Sequence, residues 1–320
     1  MKNRDKNIIV VALGGNALLR KGQKGSFEEQ YSNIVQTCKI LADMVQAGYK
    51  LVITHGNGPQ IGATILRHDA GEKLYNIPQF PMDVCGAETQ GFIGYMIQQA
   101  LTNELSRRGL KKNVVTIVTR VVVDKNDPDF INPSKPVGPF YTFEEMEKIK
   151  KIHPEYVFKE DKMRGGWRRV VPSPDPKYIV EGPAVKTLIE ADFIVIASGG
   201  GGIPVIEEDG TYISVEAVID KDLAGERLAT FIGANKFIIL TDIDAVYIDY
   251  GKPTQRKIDV IKAKELKKLY EEGHFPPGSM GPKVKAAIRF IESGGEEAVI
   301  AELTQLIEAV NNKAGTHIIS

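Results

Sequence analysis

With 320 residues, the chain is long enough to form one large α/β domain or two lobes around a sizeable apolar core. Lys and Arg together number 41, as do Asp and Glu, so the formal net charge is zero and no overall field draws the chain to nucleic acid or to an anionic membrane. Its 42% of apolar residues and 26% of charged residues are ordinary for a globular protein.

The first third of the sequence alternates apolar strands with helical patterns. Residues 8–13 are apolar at every position, which predicts a strand covered on both faces. Apolar residues at helical spacing then run from Tyr31 to Val45 and stop before Gly48. A second buried strand is predicted at 51–54, helical stretches around 88–108 and a third strand at 114–118. This order predicts a mostly parallel sheet with helices on both sides.

The alternation stops between about residues 125 and 176. This stretch contains several X-Pro steps, a basic run at 164–169 and aromatic residues such as Phe140, Tyr141 and Phe143. Because it is too long for a simple connection, it predicts an inserted subdomain. The alternation then resumes, with strands predicted at 193–197, 236–241 and 297–301 and helices near 216–231, 263–272 and 283–293.

The two cysteines, Cys38 and Cys85, lie in helical or apolar surroundings and have no metal-ligand spacing. Their usage argues against a structural disulfide and predicts a reducing, cytoplasmic location. The first apolar run breaks at the glycines after residue 13, too early for a signal sequence. No segment has the unbroken apolar length that spans a bilayer, so no membrane partner is expected.

Glycine occurs at almost every predicted strand-to-helix junction, where parallel sheets place their ligand sites. The first junction reads Gly14-Gly15-Asn16 and the second His55-Gly56-Asn57-Gly58-Pro59. Glycines free backbone N–H groups to approach an oxyanion, and asparagines add side-chain donors. A bare turn explains the first junction equally well. The second favours a ligand, because a simple reversal needs neither paired glycines nor a proline set for a helix start.

The third junction carries four consecutive glycines, Gly199, Gly200, Gly201 and Gly202. Such a run is costly to order, so it favours an anion cradle, a hinge between two lobes, or both. It lacks the Gly-Lys-Ser/Thr ending of a Walker A loop. No Gly-x-Gly-x-x-Gly follows a predicted strand either, which argues against a dinucleotide-binding fold.

Cationic side chains that could screen a transferring phosphoryl group are few. Asp220-Lys221-Asp222 forms a charge trio in an otherwise apolar helical pattern, and a solvated helix face explains it as well as a function does. Lys283 follows a glycine-containing loop and falls in the first turn of a predicted helix. A lysine there opposes the helix dipole, so a functional role is the better interpretation.

A short acidic segment at 241–247 follows the predicted strand 236–241. Its carboxylates, Asp242 and Asp244, could orient Mg²⁺ or a ribose, while Val246 and Tyr247 could wall a base. An Asx turn is the structural alternative.

Seven motifs in order along the chain resemble the amino acid kinase family and, within it, the carbamate kinases. They are ALGGNAL at 12–18, HGNGPQ at 55–60, NPSKPVGPFY at 132–141, RGGWRRVVPSP at 164–174, ASGGGGIPV at 197–205, VIDKDLA at 218–224 and GSMGPKV at 278–284. The resemblance spans the whole chain. It implies a three-layer αβα sandwich around a mostly parallel central sheet, with a protruding inserted subdomain.

The resemblance also implies which part of the chain binds each ligand. Residues 1–213 would form an N-terminal lobe that binds carbamate or carbamoyl phosphate and carries the insert, and residues 214–320 a C-terminal, nucleotide-binding lobe. Substrate would bind at Gly14, Gly15, Asn16, Gly56, Asn57, Gly58 and, from the insert, Lys135. Lys221 and Lys283 would screen the phosphoryl oxygens, with Asp222 holding them in register. The implied nucleotide-binding residues are Gly199, Gly200, Asp242, Val246, Tyr247, Met280 and Lys283.

One departure from the wider family narrows the expectation. Many amino acid kinases carry a lysine on the first strand just before the glycine pair, whereas this chain has Ala12 and Leu13 there. Lys221 would then supply the missing cation, as is thought for carbamate kinases. This disfavours acetylglutamate, aspartate and glutamate kinases.

The implied activity is reversible phosphoryl transfer between ATP and carbamate, giving ADP and carbamoyl phosphate. The resemblance also implies Mg²⁺ bound with the nucleotide, no metal held by the protein alone, a homodimer, and ATP formation in arginine fermentation. Two alternatives stay open: a kinase of the same family acting on another carboxylate, and a metabolite-sensing module without catalysis.

Overall fold

The computed structural model describes residues 7–162 and 165–320, so Arg164 of the predicted basic run lies outside the described residues. The strands are β1 Ile8–Leu13, β2 Lys50–His55, β3 Val114–Thr116, β4 Arg120–Val123, β5 Lys135–Tyr141, β6 Val157–Glu160, β7 Trp167–Val171, β8 Pro176–Ile179, β9 Ile194–Ile196, β10 Ile203–Glu208, β11 Thr211–Ser214, β12 Lys236–Thr241, β13 Val246–Ile248, β14 Arg256–Ile258, β15 Val260–Lys262, β16 Glu297–Glu302 and β17 Thr316–Ile319. The helices are α1 Phe27–Gln46, α2 Gly58–Tyr75, α3 Met82–Arg107, α4 Phe143–Ile152, α5 Gly182–Glu190, α6 Lys221–Ile232, α7 Ala263–Glu271, α8 Met280–Glu292 and α9 Leu306–Val310.

An eight-stranded sheet in the order β15-β17-β16-β12-β1-β2-β9-β3 forms the centre of the fold. The six strands from β16 to β3 run parallel, and only the β16–β17 pair is antiparallel. β1 pairs with β2 on one side and with β12 on the other. The carboxyl ends of these three strands therefore lie at one edge of the sheet, where ligand sites of such sheets occur.

Helices cover both faces of the sheet, which explains why its strands are apolar at every position. Along β1, the side chains of Ile9, Val11 and Leu13 pack into a core with α1, α3 and α9. Val10 and Ala12 point the other way, into a core with α5, α6, α7 and α8. The predicted three-layer αβα architecture around a mostly parallel sheet is confirmed.

The predicted insert has a sheet of its own. Strands β5, β7 and β6 pair antiparallel in that order, and α4 connects β5 to β6. The insert packs against α2, and a Cβ atom built on Gly62 would lie 3.5 Å from the Cα of Gly138. Two further small sheets, β11-β10-β4-β8 and the β13–β14 hairpin, complete the fold.

Two local expectations differ from the structure. The helix start at Pro59 was predicted, and α2 does begin there, but its extent to Tyr75 was not, because its apolar residues are too few to mark one face. Helix α6 begins at Lys221 rather than near residue 216. The charge trio 220–222 is therefore not a mid-helix face but the cap and first turn of α6, where the Asp220 side chain accepts a hydrogen bond from the Asp222 N–H at 2.9 Å.

The central sheet runs across the predicted lobe boundary at residue 213, since β1 pairs directly with β12. Cys38 and Cys85 are free and buried, as expected. Burial is the main factor that raises the thiol pKa, to about 12 for Cys38 and about 11 for Cys85. Among the described residues, no helix is long and apolar enough to cross a bilayer.

Candidate active site

The first glycine junction extends β1 into a short 3₁₀ turn over Gly15–Ala17. Gly15 and Asn16 are exposed there. A Cβ atom on Gly14 would lie 2.6 Å from the carbonyl oxygen of Leu240, so the turn is pressed against the end of β12. The exposed donors of this turn and the acidic segment after β12 consequently share one edge of the sheet.

The second junction lies beside the first, because the Gly56 N–H donates to the Leu13 carbonyl at 3.2 Å. Asn57 immediately precedes α2, and Pro59 lies in the first turn of that helix. The Asn57 amide is held by Thr89 of α3, whose hydroxyl oxygen accepts its Nδ2 hydrogen bond at 2.8 Å. Gly58 is exposed at the start of α2.

The four-glycine junction is a close-packed turn. A Cβ atom on Gly199 would lie 2.4 Å from His55 Nε2, and one on Gly200 would lie 2.3 Å from Asn57 Nδ2. Gly200, Gly201 and Gly202 also have positive φ angles of 65°, 93° and 82°. Packing and backbone geometry therefore require these glycines. Their contacts join Gly199 and Gly200 to the second junction, which is the predicted substrate side.

The first turn of α6 brings a lysine to these junctions. Lys221 is the first residue of α6, and its side chain crosses Gly56, where a Cβ atom would lie 3.3 Å from Lys221 Cδ. Any side chain at Gly56 would displace this lysine. Glycine in the second junction therefore leaves room for the aliphatic part of the Lys221 side chain.

Lys221 and Lys283 meet on one carboxylate. Lys221 Nζ lies 2.5 Å from Asp222 Oδ1, and Lys283 Nζ lies 3.0 Å from Asp222 Oδ2. Asp222 is 2% exposed and the two lysine side chains are 15% and 16% exposed. The structure therefore brings Lys283 onto a carboxylate that lies 61 positions before it in the sequence, next to Lys221.

The protonation of this cluster follows from burial and charge. Burial alone would raise the pKa of Asp222, but the two ammonium groups outweigh it and hold that pKa below its usual range. Burial lowers the pKa of Lys221, Asp222 opposes this effect, and Lys283 adds to it. Asp222 is thus the anion that allows two cations to occupy a confined site.

The insert contributes a third lysine. Lys135, the first residue of β5, donates to Asp220 Oδ2 at 3.1 Å. Asp220 is the cap of α6, so Lys135 reaches the same helix end as Lys221 and Lys283. No role for Asp220 was predicted, because its partner Lys135 lies 85 positions away.

A small cavity of about 80 Å³ lies on the C-terminal side of this cluster. Tyr247 and Met280, both predicted to contact nucleotide, line it, as do Ile243, Tyr250, His274, Phe275, Pro276 and Ser279, which the sequence interpretation missed. Lys283 ties the cavity to the charged cluster, since it lies within one turn of Met280 on α8. The aromatic residues and the glycine-containing motif Gly278–Pro282 are the sequence features that could have indicated this cavity.

The structure corrects the prediction for Val246. Its side chain is fully buried in the core, and its N–H donates to Thr316 Oγ1 at 2.8 Å, so it does not wall a base. Asp242, by contrast, is exposed just beyond β12. Asp244 is engaged by the Tyr247 hydroxyl at 2.9 Å. Asp242, which accepts a hydrogen bond from the neighbouring Thr241 hydroxyl at 3.1 Å, is therefore the more exposed carboxylate of the acidic segment.

Comparison with protein families matches residues 7–302 to the amino acid kinase family. The carbamate kinase of Thermococcus kodakarensis is 59% identical over 312 residues, covering 97% of this chain and 98% of that protein. The carbamate kinase of Pyrococcus furiosus is 57% identical, with coverage of 97% and 98%. Among solved structures, the carbamate kinase of Giardia lamblia bound to AMP-PNP superposes with a TM-score of 0.93 at 44% identity, covering 98% of this chain and 99% of that one.

His55 is a buried polar residue beneath the site. It is 1% exposed, and its Nδ1 lies 3.0 Å from the Gly56 carbonyl oxygen, an arrangement in which Nδ1–H donates. Burial lowers the pKa of His55 to about 4, and Lys221 contributes to that shift. The ring is therefore neutral in the folded chain at neutral pH.

We expect His55 to make folding sensitive to mild acid. The unfolded chain takes up a proton near pH 6.5 and the folded chain only near pH 4, so stability falls as pH is lowered between these values. Between about pH 7 and pH 5 the expected loss from this group is ~2 kcal/mol. Urea unfolding at both pH values measures it, and His55→Asn should show a smaller pH dependence. An equal fall in both proteins would contradict this assignment.

Proposed function

The chain belongs to the amino acid kinase family, and we propose that it is a carbamate kinase, a phosphotransferase that moves a phosphoryl group reversibly between ATP and carbamate. One observation carries the proposal beyond the likeness to relatives. The two ammonium groups of Lys221 and Lys283 share the buried carboxylate of Asp222 at the end of the sheet that carries the glycine junctions. Phosphoryl transfer requires cations at the place where charge develops on the moving group.

The residues then divide by the part of the reaction they serve. Backbone N–H groups at Gly14, Gly15 and Gly58, with the side chains of Asn16 and Asn57, bind carbamate and the transferring phosphoryl group, and Gly56 leaves room for Lys221 beside them. Lys221 and Lys283 screen its oxygens, and Asp222 fixes the distance between them. Gly199 and Gly200 support the Asn57 side of the site through packing. Such positioning and screening supply most of the catalysis in this reaction class.

We assign direct in-line transfer, in which the phosphoryl group passes between nucleotide and carbamate without a covalent intermediate on the protein. The described residues near the site provide no activated nucleophile. His55 is buried against Gly199, and Cys38 and Cys85 are buried with raised pKa values. Lys135 closes the site from the insert side, because it reaches Asp220 at the same helix end.

The nucleotide is assigned to the cavity beside Tyr247 and Met280, with Asp242 and Lys283 towards its phosphates. Mg²⁺ fits this arrangement as an ion bound mainly by nucleotide phosphates and water, supplying charge neutralisation between the phosphates. In the described part of the chain no cluster of three His, Cys, Asp or Glu side chains could hold an ion alone. Asp242 is the exposed carboxylate that can orient the hydrated ion.

We further propose that the enzyme acts in the cytoplasm, where it forms ATP from carbamoyl phosphate during arginine breakdown. The relatives named above are carbamate kinases, and the buried free thiols suit a reducing compartment.

The activity is tested with purified chain, ADP, Mg²⁺ and a panel of acyl phosphates. ATP should form from carbamoyl phosphate at least ~10-fold faster than from acetyl phosphate, whose methyl group cannot make the hydrogen bonds of the carbamoyl amino group, or from N-acetylglutamyl phosphate, which is larger. Chelation of Mg²⁺ should abolish the reaction. Equal or faster use of another acyl phosphate would point to a different kinase of the family.

Lys283→Ala should lower the rate of ATP formation by about a hundredfold or more. Removal of one well-placed cationic donor costs on the order of 3 kcal/mol of transition-state stabilisation. Lys267→Ala is the matched control, because Lys267 is an exposed lysine on α7 that pairs at 2.8 Å with Glu292, a residue of α8 like Lys283. Near-normal turnover of Lys283→Ala would remove this lysine from the mechanism.

A homodimer is proposed with β3 at the interface. β3 is the edge strand of the central sheet, and the apolar side chains of Tyr95 and Val118 beside it are 58% and 49% exposed. Helix α3 packs closely on β3, since a Cβ atom on Gly94 would lie 2.2 Å from Thr116 Cγ2. An unpaired strand edge with apolar neighbours can continue its sheet into a second copy.

Light scattering after size exclusion should give twice the chain mass, and Tyr95→Asp should shift the molecule towards the monomer. Ile131→Asp is the control, because Ile131 is 89% exposed in the segment that leads into the insert. A monomeric parent protein, or equal behaviour of both variants, would contradict an interface at β3.

A further inference from the structure

The two chain segments that enter and leave the insert are bonded to each other. The Asp175 N–H donates to Asp127 Oδ2 at 3.0 Å, and the Ser173 N–H donates to Asp129 Oδ2 at 2.7 Å. The Asp129 carboxylate also accepts from Ser134 Oγ at 3.0 Å. The insert therefore has a fixed base rather than two independent connections.

The side chain of Asp175 ties this base to helix α8. Lys285 Nζ lies 3.0 Å from Asp175 Oδ2, and Arg289 Nη1 lies 2.6 Å from Asp175 Oδ1. Arg289 Nη2 reaches the other carboxylate oxygen, so this contact is bidentate. A planar guanidinium bound to both oxygens of a carboxylate fixes orientation as well as distance.

The charges around Asp175 agree with this geometry. Burial would raise the pKa of Asp175, but Arg289 and Lys285 outweigh it and hold that pKa below its usual range. The hydrogen bond to Asp175 raises the pKa of Arg289. Glu226, a buried carboxyl on α6, also interacts with Arg289, so the cluster contacts the insert base, α8 and α6.

Two arms run from this cluster to the candidate active site. Along α8, Lys283 lies two residues before Lys285 and binds Asp222. Through the insert, β5 carries Lys135, which binds Asp220. Both arms therefore end at the cap and first turn of α6, and the position of the insert relative to α8 decides whether Lys135 and Lys283 reach it together.

We propose that Asp175 is a positioning residue that sets the insert against α8, so that Lys135 and Lys283 converge on one substrate. The proposal rests on the proposed function for its substrate, carbamoyl phosphate. The side chains of Asp175, Lys285 and Arg289 are 34%, 35% and 24% exposed, and ion pairs with this much solvent contact contribute little to folding stability. Loss of Asp175 consequently affects substrate binding more than folding.

Asp175→Asn keeps the size of the side chain and removes its charge. We expect ~10-fold lower kcat/KM for carbamoyl phosphate, mostly through KM, with KM for ADP changed less than about twofold. Asp124→Asn is the matched control, because Asp124 pairs at 2.8 Å with Lys177 of β8, near the same base, rather than with a residue of α8. The control should retain parental kinetics. Parental kinetics in Asp175→Asn would overturn the proposal.

A double-mutant cycle separates positioning from general damage. If Asp175 acts through Lys135, then Asp175→Asn should cause no further loss in a Lys135→Ala background. An undiminished loss in that background would overturn the proposal. Should Asp175→Asn fold poorly, Arg289→Lys keeps the charge but loses the bidentate contact, and it should show the same KM effect and the same dependence on Lys135.

Hydrogen exchange of the substrate-free protein gives a readout that does not depend on the reaction. Backbone amides of β5, β6 and β7 should exchange faster in Asp175→Asn than in the parent or in Asp124→Asn. If the parent makes no ATP from carbamoyl phosphate, the proposed function fails. The exchange result then tests by itself whether Asp175 holds the insert against α8. Equal exchange in all three proteins would contradict it.

Discussion

The candidate site depends on a buried carboxylate shared by two ammonium groups. Without Asp222, Lys221 and Lys283 would repel each other at short range in a poorly solvated site. With it, the three charges leave one net positive charge in a fixed place. Burial makes this arrangement expensive to break, because removal of the carboxylate would leave two desolvated cations without compensation.

The surrounding fold is arranged to deliver this pair. Asp222 and Lys221 lie in the first turn of α6, which the Asp220 side chain caps. Gly56 leaves room for the Lys221 stem at the carboxyl end of β2. The neighbouring glycine run has no side chains because His55 and Asn57 occupy the space where two of them would project. Glycine therefore serves two purposes here, namely access for a ligand and close packing of the groups that surround it.

Local sequence pattern was sufficient for the centre of the fold. β1 and β12 have the predicted bounds, and the three layers follow from strands that are apolar at every position. The sequence pattern failed where tertiary contacts determine the bounds of an element or the burial of a side chain. Helix α2 lacks a clear apolar face, and the start of α6 is fixed by a cap. Val246 looked like a pocket residue but pairs with Ile258 and joins the core, which no local signal indicates.

Family membership was predictable from seven motifs and is confirmed by the match over residues 7–302. The contacts between distant segments were not predictable from pattern. Lys135 and Asp220 are 85 positions apart, and Arg289 and Asp175 are 114 apart. Spacing along a sequence carries no information about such pairs, whereas the individual glycines and lysines were recognisable from their chemistry.

The charge balance at the α6 terminus gives a physical reason for an anionic group to bind there. Three lysines, Lys135, Lys221 and Lys283, contact two aspartates, Asp220 and Asp222, so one positive charge remains uncompensated. The lowered pKa of Lys221 is the expected consequence of burial and of this surplus. An anionic phosphoryl group would supply the missing negative charge and favour protonated lysine, so such a ligand and the three lysines would stabilise each other through one electrostatic balance.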